Sequence, residues 1–255
     1  MDSIRKPWTG VRNILWFNWP FYVFSFAGMI VVSTLLPYFI DERLYVYCFV
    51  FSLFIFTPIF LSLVVSWYVY DLSDLYRFNW LEDREIAKTE TIVNIHAGFD
   101  ETSHLLETKF PNSELYVMDF YDPKQHTAAS IQRARTAYPR FPGTKTVTTT
   151  RLPLEDRCID KIFAILSVHE IRSETERIVF FGELNRILKS DGQIFVVEHL
   201  RDLPNFLAYN IGFLHFYSRK SWENTIQMAN LKLKEVKKIT PFLTIFKIEK
   251  NGTTS

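Results

Sequence analysis

Two histidine–glutamate pairs are the residues best suited to chemistry in this sequence of 255 residues. His169-Glu170 follows one short apolar run, and Glu198-His199 ends another. Histidine has an ordinary pKa near neutral pH, so it can take a proton from an oxygen or nitrogen nucleophile. A neighbouring carboxylate can orient the imidazole ring. We therefore predict catalytic roles for these four residues.

The same pairs also have the residue types of a metal site. Successive side chains of a strand point to opposite faces, so one adjacent pair does not aim two ligands at one ion. The two cysteines, Cys48 and Cys158, are too few for a four-cysteine zinc site or a disulfide scaffold. We therefore predict no metal site.

The elements that must position these residues alternate between short apolar runs and helical stretches. Strands are predicted over 91–95, 114–118, 146–150, 159–166 and 193–197, and helices over 101–110, 123–138, 174–188 and 221–229. A hairpin is predicted over 231–248, with its turn at Thr240-Pro241, and a helix stop and turn over 189–192. This alternation is typical of βαβ units and a doubly wound α/β sheet. Ligands bind such sheets outside the carboxyl ends of the strands, which is where both histidine–glutamate pairs lie.

Two more strand ends carry residues that suit a nucleotide. The first strand runs into a short turn, 94–100, in which Gly98 lets a ligand approach the backbone closely. The second strand ends in Asp119, whose carboxylate can accept two hydrogen bonds from a ribose diol. A glycine in such a turn is common, and an acid near Pro123 can instead cap a helix, a role that fits Asp122 better than Asp119.

Two runs without charged residues, 13–40 and 44–70, precede the sheet and are separated only by Asp41-Glu42-Arg43. Each exceeds the ~20 apolar residues that cross a bilayer, and tryptophan and tyrosine side chains lie at their ends, as in interfacial belts. We predict a transmembrane hairpin rather than a signal peptide or a buried core helix. Basic residues flank it on both sides, namely Arg5, Lys6, Arg12, Arg77 and Arg84. By the positive-inside rule, both termini and the globular domain are cytoplasmic.

The charge balance excludes one class of partner. Lys+Arg number 29 and Asp+Glu number 28, without the basic excess that phosphate contacts require, so we predict no nucleic-acid partner. The predicted organisation is an N-terminal segment with the hairpin over 1–70, a juxtamembrane lid or linker helix over 71–88, and a globular domain over 89–255. The sequence leaves the oligomeric state open.

Two segments carry a family resemblance, LPLEDRCIDKIFAILSVHEI at 152–171 and ELNRILKSDGQIFVVEH at 183–199. Together with the strand order they resemble class I S-adenosylmethionine-dependent methyltransferases, in the branch that includes quinone and small-molecule methyltransferases. The resemblance covers roughly residues 88–250. It implies a Rossmann-like seven-stranded sheet with an antiparallel last strand, and S-adenosylmethionine as the cofactor.

The family's glycine-rich motif falls on 94–100, where this sequence departs from it. Asn94 replaces the usual leading acid, His96 the first glycine and Asp100 the third, while Gly98 is kept. The ribose acid maps to Asp119, and the acid near Thr148 that usually contacts adenine is missing. The cofactor-binding residues that the resemblance implies are Asn94, His96, Gly98, Asp119, Phe120, Thr148 and Leu152.

The segment from Tyr70 to Tyr76 resembles the lid that precedes the first strand in several such enzymes, although an amphipathic linker helix fits it equally well. The aromatic segment 203–217 corresponds to a part of the family that helps to form the pocket for the methyl acceptor. Core packing or contact with a bilayer would explain its composition as well. The predicted pocket and lid residues are Tyr70, Asp71, Tyr76, Tyr209 and His215.

The predicted function is methyl transfer by a membrane-anchored enzyme to a lipophilic small molecule, such as a quinol, a phenolic lipid or a terpenoid. Its partners would be that substrate and membrane lipid. The alternative is a non-catalytic, methyltransferase-like membrane scaffold that binds a partner enzyme. The altered glycine-rich motif favours this alternative, whereas the retained acid and histidines oppose it.

Overall fold

A seven-stranded sheet lies at the centre of the computed structural model, which describes residues 5–82, 90–126 and 129–252. Its strands are β1 (Thr91–His96), β2 (Glu114–Asp119), β3 (Lys145–Thr146), β4 (Ile159–Ile165), β5 (Leu188–His199), β6 (Leu231–Thr240) and β7 (Leu243–Lys250). They are ordered β3-β2-β1-β4-β5-β7-β6, and β7 is antiparallel to both of its neighbours while the other pairings are parallel. The predicted Rossmann-like sheet with its antiparallel last strand is confirmed.

Helices cover both faces of this sheet, which is why its central strands are apolar along their length. The helices that follow β1 are α4 (Ser103–Lys109), α5 (Ala129–Ala137), α6 (Glu174–Ile187), α7 (Leu203–Tyr209) and α8 (Arg219–Met228). Phe181 and Trp222 are buried in a core on one face, and Phe163 and Phe195 are buried in a core on the other. Because both faces of the sheet are packed in this way, the carboxyl ends of the neighbouring parallel strands are held close together at one edge. These strands are β1, β2, β4 and β5.

Three elements differ from the sequence-based expectation. Strand β3 stops at Thr146, and the Val147 N–H makes a last bond to the Asp119 carbonyl at 3.0 Å. The threonines that follow bond through their side chains instead, Thr148 Oγ1 with Thr150 Oγ1 at 3.2 Å and Thr149 Oγ1 to Glu176 Oε1 at 2.6 Å. The described part of helix α5 begins at Ala129, and residues 123–126, where a helix is predicted, are not helical; residues 127–128 lie outside the described residues. Residues 189–192 lie within β5 and form a bulge. Leu188 pairs with Ile159 of β4 and Gln193 pairs with Lys161, so four residues of β5 lie opposite a single residue of β4.

Three helices precede the sheet, α1 (Thr9–Phe17), α2 (Trp19–Ile30) and α3 (Tyr45–Trp67). With the short helical turns that extend α2 and α3, the stretches Trp19–Phe39 and Glu42–Leu72 are long and apolar enough to cross a membrane, by length and composition. None of the residues of Trp19–Phe39 is buried. The first stretch starts later than the predicted residue 13, because α1 is a separate helix that packs on the globular domain.

The described residues after the hairpin, 73–82, do not form the predicted linker helix. At Ser73 the backbone becomes extended, and the chain continues in turns whose apolar side chains, Leu75 and Phe78, are buried against the sheet. The segment is therefore part of the domain core. Residues 83–89, including Arg84 of the predicted basic flank and the boundary at 88, lie outside the described residues.

Candidate functional site

The turn between β1 and α4 is built from polar side chains where the family motif has glycines. Asn94 Nδ2 donates to Thr102 Oγ1 at 2.9 Å and to Ser103 Oγ at 2.8 Å. Asp100 Oδ1 accepts from the backbone N–H groups of Thr102 and Ser103, at 3.0 and 2.9 Å, and so caps α4. Gly98 has φ +91°, which an L side chain rarely adopts. The turn is thus held firmly although two glycines are absent.

His96 takes up the space that a glycine would leave open at this turn. Its Nδ1 accepts from the Gly98 N–H at 3.2 Å, and burial lowers the pKa of His96 although Asp100 and Asp119 oppose that shift. Three buried polar atoms around it have no hydrogen-bond partner among the described residues, namely His96 Nε2, Asn94 Oδ1 and Asp100 Oδ2. Unsatisfied buried groups are rare, so these atoms mark a place where a polar ligand would be stabilised.

Asp119 is fully buried at the end of β2, and two arginines share its carboxylate. Its Oδ2 accepts from Arg135 Nη1 at 2.8 Å and Arg140 Nη2 at 2.5 Å, and its Oδ1 accepts from the Tyr121 N–H at 2.9 Å. Burial would raise the pKa of Asp119, but the two guanidinium groups outweigh it and lower that pKa. A Cβ added to Gly98 would lie 2.8 Å from Arg135 Nη1, so this guanidinium stands directly in front of the turn.

These residues fit the nucleoside part of S-adenosylmethionine on one condition. The acid and the side chains with the unpartnered atoms are held by hydrogen bonds within the turn and from Tyr121, whereas the two arginines are long side chains that are 27% and 43% exposed. Ribose hydroxyls would reach the Asp119 carboxylate only if Arg135 or Arg140 turned away from it. Asp119 and the turn at Gly98 would then hold the nucleoside.

The side chains of the other predicted cofactor residues make different contacts. Phe120 is buried in the core with its ring centroid 5.4 Å from that of Phe180, and Leu152 is also buried in the core. Thr148 is exposed. The Leu152 N–H donates to Glu183 Oε2 at 2.9 Å, so its backbone is held by α6. The structure therefore brings together Asn94, His96, Gly98 and Asp119. The Phe120 backbone lies beside them, because its N–H donates to the His96 carbonyl at 3.0 Å.

A second group of polar side chains lies at the ends of β4 and β5. His169 sits in a short helical turn after β4, Val168–Glu170, and its Nδ1 is 2.7 Å from Glu198 Oε2. Glu198 Oε1 accepts from the backbone N–H groups of Ser167 and His169, at 3.1 and 3.2 Å. Burial opposes a charge on His169, but Glu198 and Glu170 outweigh it and raise its pKa to about 10. An imidazole held protonated in this way is not a base at neutral pH.

Glu170 lies between two imidazoles. Its Oε1 is 3.4 Å from His169 Nε2 and 3.5 Å from His215 Nε2. Burial opposes the charged carboxylate, yet the two histidines hold the pKa of Glu170 well below its usual range. Arg172 fixes the arrangement, because its Nη1 donates to the backbone carbonyls of His169, at 3.2 Å, and His215, at 2.7 Å.

His199 has a different environment from His169. Its Nδ1 lies 3.0 Å from the Phe242 carbonyl and 3.1 Å from Asn205 Oδ1, which places the proton on Nδ1. Its Nε2 therefore accepts a hydrogen bond from Tyr70 Oη at 2.9 Å. Burial lowers the pKa of His199 to about 4, so the ring is neutral at physiological pH. His199 thus offers an unprotonated nitrogen, which His169 does not.

A cavity of about 240 Å³ connects these groups with the N-terminal helices. Its polar lining includes His169, His199, Tyr70, Tyr76 and Glu101, and its apolar lining includes Ile14, Phe17, Phe99, Leu166 and Phe216. Because Phe99 follows Gly98 directly, the cavity adjoins the β1–α4 turn. An apolar chamber with a few convergent polar groups is the usual form of a small-molecule site.

Helix α1 forms one wall of this cavity, and the predicted lid residue Asp71 holds the helix in place. The Asp71 carboxylate accepts from the backbone N–H groups of Gly10, at 2.7 Å, and Val11, at 2.9 Å. A Cβ on Gly10 would lie 2.3 Å from Tyr70 Cβ, so the close approach of α1 depends on that glycine. Residues 13–17 of α1 are uncharged and therefore read as part of the first predicted span, so the sequence did not distinguish this amphipathic helix from it.

Glu101 is a further site residue that the sequence analysis missed. Its carboxylate accepts from Arg5 Nη1 at 2.5 Å, from Asn13 Nδ2 at 3.2 Å and from Tyr76 Oη at 2.6 Å. It therefore ties the chain before α1, α1 itself and the segment after the hairpin to the domain. The predicted pocket residue Tyr209 packs edge-on against His199, with centroids 5.2 Å apart, and burial raises its pKa.

Comparison with known proteins agrees with this fold. Residues 97–196 match the family model described as a methyltransferase domain. A SAM-dependent methyltransferase from Aquifex aeolicus superposes with a TM-score of 0.51 at 15% identity, over 76% of this chain and 98% of that chain. An O-methyltransferase family 2 protein from Planctomyces limnophilus, crystallised with apigenin, also gives a TM-score of 0.51, at 12% identity, over 76% of this chain and 62% of that chain. None of the curated proteins matches the sequence. Residues 97–196 are thus similar to a methyltransferase domain, and the chain has the fold of class I S-adenosylmethionine-dependent methyltransferases.

Proposed function

We propose that this chain is a membrane-anchored, S-adenosylmethionine-dependent methyltransferase whose acceptor is a lipophilic small molecule with a hydroxyl group. The observation that carries this proposal is the cavity of about 240 Å³ beside the β1–α4 turn. When bound, S-adenosylmethionine supplies an electrophilic methyl group. The chain's own task is then to align the acceptor with that group, which removes much of the entropic barrier.

The chemistry of the cavity favours a hydroxyl acceptor. His199 Nε2 is unprotonated and already accepts one hydroxyl hydrogen bond, from Tyr70. An acceptor hydroxyl that replaces Tyr70 Oη would have its proton directed at Nε2 and its oxygen lone pairs free for attack. With a pKa of about 4, His199 is a weak base, so its main contribution is to orient the oxygen nucleophile. A quinol, a phenolic lipid or a terpenoid alcohol has the required combination of hydroxyl and apolar body.

Two observations support the membrane part of the proposal. Trp19–Phe39 and Glu42–Leu72 have the length and composition of spanning helices. Beside α3, the segment 203–217 also exposes large apolar side chains, namely Leu203, Phe206, Leu207, Ile211 and Leu214. Apolar surface that continues from a spanning helix suits a domain resting on the bilayer. Anchoring would hold the cavity at the surface where lipophilic acceptors concentrate, with the basic flanks placing domain and termini on the cytoplasmic side.

Calorimetric titration of the purified full-length protein with S-adenosylmethionine tests the enzyme function. We expect saturable binding that Asp119→Asn weakens, and transfer of labelled methyl groups to material in a lipid extract of the source membrane. Arg219→Ala is the matched control, because it removes an arginine from an exposed ion pair with Glu223 on α8. Lack of binding at millimolar ligand would refute the proposal.

The second candidate, a non-catalytic membrane scaffold, is favoured by one specific observation. The Asp119 carboxylate is already satisfied by Arg135 and Arg140, and His96 stands where the family motif has a glycine. If the chain is a scaffold, deletion of the gene abolishes the product of a partner enzyme, whereas Asp119→Ala leaves that product unchanged. If the chain is the enzyme, both changes reduce the product.

A further inference from the structure

Three side chains with metal-ligand chemistry meet at the end of β4. One ligand atom from each of His169, Glu170 and His215 lies within 4.8 Å of the others. Glu170 Oε1 is 3.4 Å from His169 Nε2 and 3.5 Å from His215 Nε2. Ligand atoms about 2.1 Å from a tetrahedral zinc ion are about 3.4 Å from one another. The distances from Glu170 Oε1 to the two imidazole nitrogens already have this value. A small movement of His215, which is 46% exposed, would bring its Nε2 to the same distance from His169 Nε2.

The local backbone conformation explains why the adjacent residues His169 and Glu170 can both bind one ion. Residues Val168–Glu170 form a helical turn rather than a strand, so the opposite-face rule of strands does not separate His169 from Glu170. The backbone carbonyls of His169 and His215 both accept from Arg172, which keeps the two histidines as neighbours. The expectation of no metal site assumed strand geometry, and the structure differs from it at this point.

The surroundings of His169 have the form of a metal site's outer shell. Its Nδ1 is 2.7 Å from Glu198 Oε2, which leaves Nε2 as the nitrogen on the side of Glu170; a metal ion bound there would replace the proton on Nε2, which would be released to solvent. Metal-binding histidines usually donate their second ring N–H to a carboxylate in this way, which fixes the tautomer and increases the basicity of the ligand. Two carboxylates, Glu170 and Glu198, also supply the negative charge that a divalent cation neutralises. The facing cation, Arg172, is engaged with the two carbonyls.

We propose that His169, Glu170 and His215 bind one divalent transition-metal ion, of which Zn²⁺ is the representative, with Glu198 as the positioning residue for His169. Two imidazoles and one carboxylate suit zinc and its neighbours, whereas Mg²⁺ and Ca²⁺ prefer all-oxygen sites. Three protein ligands leave a coordination position for water or for an oxygen of a small molecule. Metal binding at these residues does not depend on the proposed methyl transfer.

The test is a titration of full-length protein, stripped of metal with a chelator, with ZnCl₂ in competition with a chromogenic indicator. We expect about one equivalent of Zn²⁺ to bind, and MgCl₂ to give no comparable binding. His215→Ala should weaken Zn²⁺ binding strongly, and it should fold normally because that side chain is half exposed. Glu198→Gln should weaken binding by about 10- to 100-fold, the usual effect of losing an outer-shell carboxylate.

His104→Ala is the matched control, because His104 and Glu107 form an exposed His–Glu pair on α4 with 3.6 Å between Nδ1 and Oε2. It should bind Zn²⁺ like the unmodified protein. Thermal unfolding with and without ZnCl₂ gives a second readout, in which Zn²⁺ raises the melting temperature of the unmodified protein and not of His215→Ala. Binding that survives His215→Ala, or that His104→Ala reduces equally, would overturn the proposal, as would the absence of binding.

Discussion

If Asp119 binds the ribose hydroxyls, as the family resemblance implies, replacing Arg135 with alanine should tighten the binding of S-adenosylmethionine, because Arg135 would compete with those hydroxyls for the Asp119 carboxylate. Arg135 Nη1 lies 2.8 Å from Asp119 Oδ2 and also donates to the Gly98 carbonyl at 3.3 Å. Its guanidinium stacks over the Tyr121 ring at 4.2 Å. All three contacts must be given up before a ligand can reach both Asp119 and the turn. Asp119 stays paired with Arg140 in the variant, so its buried charge is not left alone.

The size of the effect follows from the exposure of the two arginines. A charged hydrogen bond is worth about 1.5–3 kcal/mol when desolvated, and exposed ion pairs are worth about 0.2–1 kcal/mol. Arg135 is 27% exposed and lies between these limits. Its removal should therefore make the free energy of S-adenosylmethionine binding about 1 kcal/mol more favourable, which corresponds to about a fivefold lower Kd. Arg140 is 43% exposed and more strongly screened, so Arg140→Ala should lower the Kd only about twofold.

Calorimetric titration of the full-length variants with S-adenosylmethionine measures these differences, with Arg219→Ala as the control for loss of an exposed arginine. A Kd that rises in Arg135→Ala would refute the competition, because it would mean that the guanidinium holds the cofactor. An unchanged Kd would show that the arginine turns away without measurable cost.

Three further predictions concern the walls of the cavity. Gly10→Ala should displace α1 from Tyr70 and reduce the rate of methyl transfer, while the affinity for the cofactor stays unchanged. Kinetics and calorimetry on the same variant measure the two quantities, and a fall in both rate and affinity would contradict this prediction. Asp71→Ala removes the acceptor for two N–H groups of α1 and should cost about 1–2 kcal/mol locally, seen as faster hydrogen exchange in α1 and not in β5. His199 has a folded pKa of about 4 against about 6.5 unfolded, so the unfolded chain binds more protons between these values. The unfolding free energy should therefore fall by up to about 3 kcal/mol as pH drops from 6.5 to 4, and His199→Gln should flatten this slope in denaturant titrations at several pH values.

The sheet could be predicted from the sequence because its signals are local. Strands β1, β4 and β5 are buried on both faces, so each appears as a short apolar run between polar turns, as around Ile92, Ile162 and Ile194. The turn residues after these strands then had to meet at one edge. For that reason His169, His199 and Asp119 were found without knowledge of their contacts.

The contacts themselves could not be predicted, because they join residues that are distant in the chain. Arg135 and Arg140 lie beyond β2 and reach back to Asp119, and no spacing rule distinguishes them from arginines on a solvated helix face. Asn13 and Phe17 read as part of a membrane span because they are uncharged. Their burial depends on partners such as Tyr138, whose hydroxyl donates to Asn13 Oδ1 at 2.7 Å.

The different roles of the two site histidines follow from one property of β5. Successive side chains of a strand leave it in opposite directions, so Glu198 reaches His169 while His199 reaches Asn205 and Tyr70. The carboxylate gives His169 a charged hydrogen-bond partner, whereas His199 has only neutral ones. Burial lowers the pKa of both rings, but at His169 the carboxylates outweigh it, and this difference drives the two pKa values apart. Exchanging the order of residues 198 and 199 would remove both environments at once. His199→Ala should therefore impair acceptor orientation without affecting Zn²⁺ binding, and His215→Ala should do the reverse; loss of both properties in either variant would contradict this separation.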